Sequence, residues 1–88
     1  NPATGKLIKT YADISDQDLE AALANAHKAF ETDWRRRPVA ERAKVVSAAA
    51  AILRRKSEEY AHYLTLEMGK LINEARAEIG LSADILDY

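Results

Sequence analysis

The chain has 88 residues, which is enough for one domain or part of one, and its 13 basic and 14 acidic side chains give a formal net charge of −1. This balance excludes a protein-wide basic field of the kind that attracts nucleic acid. The absence of cysteine excludes disulfides, thiolate metal sites and a cysteine nucleophile within these residues. No apolar run approaches the ~20 residues that span a bilayer, and no signal-peptide pattern is visible, so we expect a cytoplasmic protein without membrane contact.

The first twelve residues predict a turn followed by a short strand. In residues 1–5, NPATG, Asn-Pro initiates the turn and Gly5 supplies a positive φ. Residues 6–12 place Leu, Lys and Tyr on one side and Ile and Thr on the other, which favours a strand. Since one strand is not stable alone, we expect a partner outside this chain or a hairpin with residues near Asn1.

A helix is predicted after the strand. Ser15 is its expected N-cap, and Asp16 and Asp18 place carboxylates at the positive end of the helix dipole. The helix is expected to end near Asp33. Its apolar residues form one stripe at helical spacing: Leu19, Leu23, Ala26 and Phe30.

The second helix is expected to begin at Pro38, a favourable first-turn residue. It carries two adjacent apolar stripes: Val39, Ala43, Val46, Ala50 and Leu53, and beside them Val45, Ala49 and Ile52. So wide an apolar face predicts packing on more than one side. Ser57 followed by two glutamates predicts a new N-cap, a break near Lys56 and a third helix that runs to Met68.

Gly69 is expected to end the third helix in the left-handed conformation. The fourth helix is predicted over about 71–87, with an apolar stripe at Ile72, Ala75, Ile79, Ala83 and Leu86. Within it Gly80 either costs roughly 1 kcal/mol relative to Ala or marks close helix packing. The predicted fold is therefore mostly α, a short strand and turn followed by about four helices.

The Gly69-Lys70 pair invites comparison with a phosphate-binding loop. A P-loop has the pattern G-x-x-x-x-G-K-[ST] after a strand, but positions 64 and 71 are both Leu and the preceding element is predicted to be helical. The Gly-Lys pair within residues 4–7, TGKL, fails in the same way. We interpret Gly69-Lys70 as a corner between helices.

Other polar candidates have stronger structural explanations. Residues 34–37, WRRR, are a weak anion-binding signal that we interpret as a solvated loop anchored by its Trp. His27 has no ligand-type neighbour on its face, and His62 is interpreted as a surface partner of Glu58 and Glu59, so neither predicts a metal site.

The carboxylates and hydroxyls are also not arranged as a catalytic or metal-binding site requires. Among Glu67, Glu74 and Glu78, the last two share a helix face, which is typical of a solvated edge. No serine has an evident histidine partner, and caps or small packing positions account for all four: Ser15, Ser47, Ser57 and Ser82. We predict no catalytic, cofactor-binding or metal-binding residue in this chain.

Several motifs follow one another along the whole chain. They are NPATGKLI, an acidic-capped helix ending in Ala-Phe, a Trp, PVAERAKVV, LTLEMGKLINEARAEI and LDY. Their order and spacing resemble the N-terminal region of aldehyde dehydrogenases, and TLEMGK and INEARAEI most resemble the succinate-semialdehyde dehydrogenase group. Leu71 departs from the proline that the family usually has after Gly-Lys, which relaxes the start of the fourth helix.

The resemblance implies a parent enzyme that oxidises an aldehyde to a carboxylate with NAD or NADP. In that family a cysteine attacks the aldehyde, hydride passes to the nicotinamide, and a glutamate activates the hydrolytic water. These groups lie beyond Tyr88 in the family, as do the cofactor-binding segments of its α/β Rossmann-like domain. Residues 1–88 are then a structural, incomplete part of that domain, and Glu78 matches an acidic position near a structural alkali cation of some members.

The implied partners are the rest of the parent chain, a small aldehyde substrate and further copies in a homo-oligomer. A start at Asn1 rather than Met and an end at Tyr88 also predict a fragment of a longer protein. Alone, such a fragment is expected to expose an apolar patch and to self-associate or be partly molten. The alternative is an autonomous helical module that binds a partner through its apolar faces, although the strand-like start favours the enzyme fragment.

Overall fold

A computed structural model describes all of residues 1–88 and shows four α-helices joined by short connections. Helix α1 spans Asp16–Thr32, α2 spans Val39–Arg55, α3 spans Ser57–Met68 and α4 spans Ile72–Asp87, and a 3₁₀ turn at Trp34–Arg36 follows α1. The predicted succession of four helices is confirmed. None of them combines the length and the apolar composition that a bilayer crossing requires.

Two of the predicted helix ends form as expected. Ser15 has extended backbone, and its hydroxyl oxygen accepts a hydrogen bond from the Asp18 N–H at 3.1 Å. This N-cap satisfies one of the donors that the first turn leaves free. Gly69, at φ 73°, ends α3 in the left-handed region that favours glycine.

The break between α2 and α3 also lies where it was expected, at Lys56. The capping residues differ by one position. Pro38 precedes α2 rather than forming its first turn, and Ser57 is the first helical residue of α3 rather than its N-cap. No side chain caps either helix, so the expected Ser57 cap is wrong.

The turn at residues 1–5 is confirmed, with Gly5 at φ 66°. The strand predicted over 6–12 is not confirmed, because these residues pair with no other segment. A strand is defined by its ladder of hydrogen bonds, and the 88 residues contain no partner strand and no part of a Rossmann-like sheet.

Helix α4 packs against both α2 and α3 and forms the centre of the structure. Five residues are buried: Ala50, Ala61, Ala75, Ile79 and Ala83. Four of the five are alanines, and small side chains let helix backbones approach closely. Larger, partly buried side chains surround the cluster formed by Ala61, Ala75 and Ile79: Leu53, Tyr60, Leu64 and Ile72.

Exposed ion pairs add to this packing. Arg54 of α2 binds Asp84 of α4 at 2.8 Å and also binds Asp87. Arg76 of α4 donates to Glu58 of α3 at 2.8 Å. The guanidinium hydrogen bonds lower the pKa of Asp87 and of Glu58. Because all five side chains are well exposed, each pair contributes little stability and acts mainly on the relative position of the helices.

Helix α1 does not join this core. It buries no residue, and its stripe residues Leu19, Leu23 and Phe30 are exposed. On α2, Val45 and Ile52 of the second stripe are exposed as well. Of the first stripe, Val39 and Val46 are exposed too, so the wide apolar face of α2 is covered only around Ala50 and Leu53.

The overall dimensions also show that the four helices do not form a compact domain. The Cα radius of gyration is 17.3 Å, whereas a compact domain of this length has about 12 Å. The accessible surface is 7241 Å², whereas a folded monomer of this mass exposes about 5,200 Å². The structure therefore has the exposed apolar surface that the sequence led us to expect.

The isolated chain should bind a hydrophobic dye such as ANS and self-associate, because the stripes of α1 and α2 have no cover. Sedimentation velocity over a range of concentrations and dye fluorescence measure the two effects. As a control, the double variant Leu19→Gln, Leu23→Gln should reduce both and leave the helix signal of α2–α4 in place. A monomeric chain that unfolds in one sharp cooperative transition would contradict this expectation.

Acid should loosen α4 from its neighbours. Glu58 and Asp87 have lowered pKa values in the folded chain, so their contribution is present above the unfolded values of about 4.3 and 3.9 and disappears as pH falls through the folded values. The urea midpoint, followed by circular dichroism at low protein concentration, should therefore fall below about pH 4. Glu58→Gln should show a smaller fall than the wild type, and identical pH profiles for the two proteins would refute the assignment.

Candidate functional site

The strongest candidate from the sequence is the corner between α3 and α4, where Gly69 and Lys70 lie. The Gly69 N–H donates to the Thr65 carbonyl oxygen at 3.0 Å, so it closes α3 and is not free for a ligand. The first turn of α4, whose N–H groups point towards the corner, contains the carboxylate of Glu74. A negative side chain there opposes the binding of a phosphate.

The N-terminal turn lies over the same corner. A Cβ built on Gly69 would stand 2.8 Å from the Cγ of Pro2. Glycine is therefore required for two reasons, the left-handed backbone and the close approach of the proline ring. The space in front of the corner is occupied by protein.

The charge of Lys70 is also engaged. Its ammonium forms an ion pair with Glu78, two turns along α4, and both side chains are partly exposed. The helix edge expected from Glu74 and Glu78 therefore consists of a lysine–glutamate pair with Glu74 beside it. No group of three or more His, Asp or Glu side chains in the chain is placed to hold a metal ion.

The arginine-rich loop agrees with its interpretation as a solvated loop. Arg35 binds Glu31 at 2.6 Å, and Arg37 binds both carboxylate oxygens of Asp33 at 2.7 and 2.6 Å. The hydrogen bonds from Arg37 lower the pKa of Asp33. Trp34 is partly buried, and the Arg37 guanidinium lies 5.9 Å from the centre of its ring. Two of the three arginines are thus neutralised locally.

The predicted surface pairing of His62 with Glu58 and Glu59 is wrong. Glu58 accepts hydrogen bonds from Arg76, and Glu59 pairs with Lys56 at 3.1 Å. A guanidinium presents several fixed donors to one carboxylate, which an imidazole cannot match. Helical spacing identifies neighbours on the same helix only, whereas Arg76 reaches Glu58 from α4.

The structure contains a groove between the extended segment and α3 that was not predicted from the sequence. It has a volume of about 680 Å³ and is lined mainly by Leu7, Ile8, Tyr11, Tyr63 and Leu66. The remaining lining residues, Asn1, Lys9 and Glu67, do not form a nucleophile with a base. The groove is mainly apolar, and the alternating apolar pattern of residues 7–11 was the one sequence feature that pointed to an apolar surface here.

The residues present do not fit a nicotinamide cofactor. Its pyrophosphate requires a Gly-rich turn between a strand and a helix, and the chain has no strand. At the one Gly-Lys corner between helices, the Gly69 N–H and the Lys70 ammonium already have protein partners. No chemical step can be assigned to these residues.

Comparison with known proteins identifies the family. The model of the aldehyde dehydrogenase family matches residues 1–88. The chain belongs to the aldehyde dehydrogenase family. The resemblance seen in the order of the sequence motifs is thereby confirmed.

Several curated proteins are similar to this aldehyde dehydrogenase segment. The NADP(+) succinate-semialdehyde dehydrogenase of Deinococcus radiodurans is 40% identical over all 88 residues, which are 18% of its length. NADP(+) succinate-semialdehyde dehydrogenase 1 of Mycobacterium tuberculosis is 41% identical over 78 residues, 89% of this chain and 17% of that protein. A 4-(hydroxymethyl)benzenesulfonate dehydrogenase of Comamonas testosteroni is 41% identical over 88 residues, 100% of this chain and 18% of that protein. No solved structure matches.

The chain therefore spans less than a fifth of the length of these relatives. The apolar stripes of α1 and α2 that are exposed have no cover within these 88 residues.

Substitution of glycine by alanine should be destabilising at Gly69, in the corner, and stabilising at Gly80, within α4. Gly69→Ala forces a side chain into the left-handed region and against Pro2, and it should destabilise the chain by about 1–2 kcal/mol. Gly80→Ala adds a methyl group in open space on α4 and should stabilise it by about 0.5–1 kcal/mol. Urea titration followed by circular dichroism measures both, and equal effects would contradict the assigned role of Gly69.

Proposed function

We propose that this chain is the N-terminal segment of an NAD(P)-dependent aldehyde dehydrogenase that oxidises an aldehyde to its carboxylate. The family match over all 88 residues carries the proposal. The role of the segment is structural, because its charged side chains are engaged with one another at the corner and in the arginine loop. The groups that perform the chemistry belong to the remainder of the parent protein.

Succinate semialdehyde is the substrate we propose, with NADP as the cofactor. The support comes from the Deinococcus and Mycobacterium relatives, whose names give both, at 40% and 41% identity. The Comamonas relative has the same level of identity and a different named substrate. Substrate choice within the family therefore depends on residues outside this segment, and the experiment has to compare the two classes.

We further infer that residues 1–88 form part of the α/β Rossmann-like cofactor-binding domain of a cytoplasmic homo-oligomer. The exposed stripes of α1 and α2 support this placement, since helices that flank a sheet are apolar towards it. The alternative of an autonomous interaction module is not favoured. The family match accounts for the whole chain, including the extended start that a helical module would not use.

The full-length parent protein should reduce NADP in the presence of succinate semialdehyde, with a turnover on the order of 1–10³ s⁻¹. Absorbance of the reduced nicotinamide measures the rate. NAD, an uncharged aldehyde of similar length and an aromatic aldehyde that carries a sulfonate group are the comparison reactants. A faster rate with the aromatic sulfonate would overturn the substrate proposal, and no reduction with any aldehyde would overturn the enzyme proposal.

A variant in which the reactive cysteine of the parent enzyme is replaced by alanine provides the matched control. It should lose the reaction with every aldehyde and keep its affinity for the cofactor, because the nucleophile and the cofactor-binding surface are separate groups. Retained activity in this variant would show that the observed reduction came from another source.

A further inference from the structure

The turn at residues 1–5 holds its shape through its own hydrogen bonds. The Asn1 carbonyl oxygen accepts from the N–H groups of Thr4 and Gly5 at 3.2 and 2.8 Å. The side-chain oxygen of Asn1 accepts from the Ala3 N–H at 2.9 Å, an arrangement in which asparagine stabilises a turn without any tertiary partner. Gly5 closes the turn in the left-handed region, at φ 66°. The turn is therefore a preformed unit.

This unit docks on the α3–α4 corner by shape alone. The Cγ and Cβ atoms of Pro2 lie 2.8 and 3.6 Å from the position that a Cβ on Gly69 would take. Residues 1–14 make no hydrogen bond and no ion pair with the four helices, and all of residues 2–14 are exposed. Because no polar group guides the contact, it depends on the missing side chain of Gly69.

The helices below the turn hold one another without its help. All five buried residues belong to α2, α3 and α4. Ala61 and Ala75 pack together beside Ile79, and Arg76 of α4 donates to Glu58 of α3. None of these contacts includes the turn, so the corner that receives Pro2 is formed by the helices themselves.

We propose that residues 1–5 are a latch on the α3–α4 corner, in which Pro2 and Gly69 form one energetically coupled docking pair. The latch leaves the corner as a closed turn and does not open the helices. Both members of the pair lie within this chain, so the inference goes beyond the proposed function and does not depend on the substrate of the parent enzyme.

The latch also controls the groove beside α3. Leu7 and Tyr11 follow the turn along the chain and form one wall of this groove, and Tyr63 and Leu66 of α3 form the other. The first wall has no hydrogen bond to the second. Docking of the turn therefore sets the distance between the walls, and release of the turn frees the wall that follows it.

A comparison of two glycines in the full-length protein tests the coupling. Gly69→Ala and Gly5→Ala both place a side chain in the left-handed region, but a Cβ at Gly5 meets no atom within 4 Å. Gly69→Ala should therefore lower the melting temperature more than Gly5→Ala does. Pro2→Ala removes the Cγ atom, so it should restore part of the loss at Gly69 and give no comparable restoration at Gly5. Equal losses, or the absence of restoration, would overturn the coupled pair.

A disulfide measures the docking directly. The 3.6 Å between the Pro2 Cβ and the Cβ position at Gly69 lies within the ~3.5–4.5 Å that a disulfide spans. In glutathione buffer, the ratio of disulfide to dithiol for Pro2→Cys, Gly69→Cys should exceed that of the control Gly5→Cys, Gly69→Cys by about tenfold or more. Mass spectrometry of the linked peptides separates this bond from any bond to the reactive cysteine of the enzyme. Equal ratios would overturn the docking.

Hydrogen exchange in the full-length protein tests release without opening. In Pro2→Ala the amides of Ala75 and Ile79 should exchange within about twofold of the wild-type rate, because α4 does not depend on the latch. In Gly69→Ala the Gly5 amide should keep its protection, because its hydrogen bond lies inside the turn. Faster exchange in α4 would make the turn part of the helical core, and loss of protection at Gly5 would show that the turn forms only on the corner. Either result would overturn the latch.

Discussion

The close approach of α4 to α2 and α3 is the constraint on which the structure depends. Ala61 and Ala75 pack together beside Ile79, and the other two buried residues are also alanines. Side chains of this size bring helix backbones near one another but bury little apolar area. The chain must also reverse direction within three residues to bring α4 against α3, and the left-handed backbone of Gly69 accomplishes this. The arrangement is geometrically defined but weakly stabilised.

Local sequence signals predicted the features that depend on neighbouring residues. The cap at Ser15, the break at Lys56 and the left-handed Gly69 each follow from the chemistry of one or two side chains. Features that need a distant partner were not predictable in this way. Glu58 binds Arg76 on another helix, and residues 6–12 do not form the predicted strand because no segment pairs with them. Periodicity indicates which faces are apolar, but the helices present decide which faces are covered.

The candidate site was likewise predictable only in part. The failure of the P-loop pattern around Gly69 could be read from two residues, and the structure adds the physical cause, which is the engagement of both Gly69 and Lys70. Family membership could be predicted from the order of the motifs, because that order follows the succession of turns, caps and helices along the chain. Substrate preference could not be predicted from these residues, because relatives with different named substrates are 40% and 41% identical to them.

The contact between Pro2 and Gly69 joins residues separated by most of the chain. A ribosome releases the proline long before the glycine, so the first turn must wait for the α3–α4 corner to emerge before it can dock. During that interval the extended segment has no contact with the corner, and its apolar side chains are exposed. The order of synthesis therefore leaves the turn at residues 1–5 undocked until the α3–α4 corner has formed.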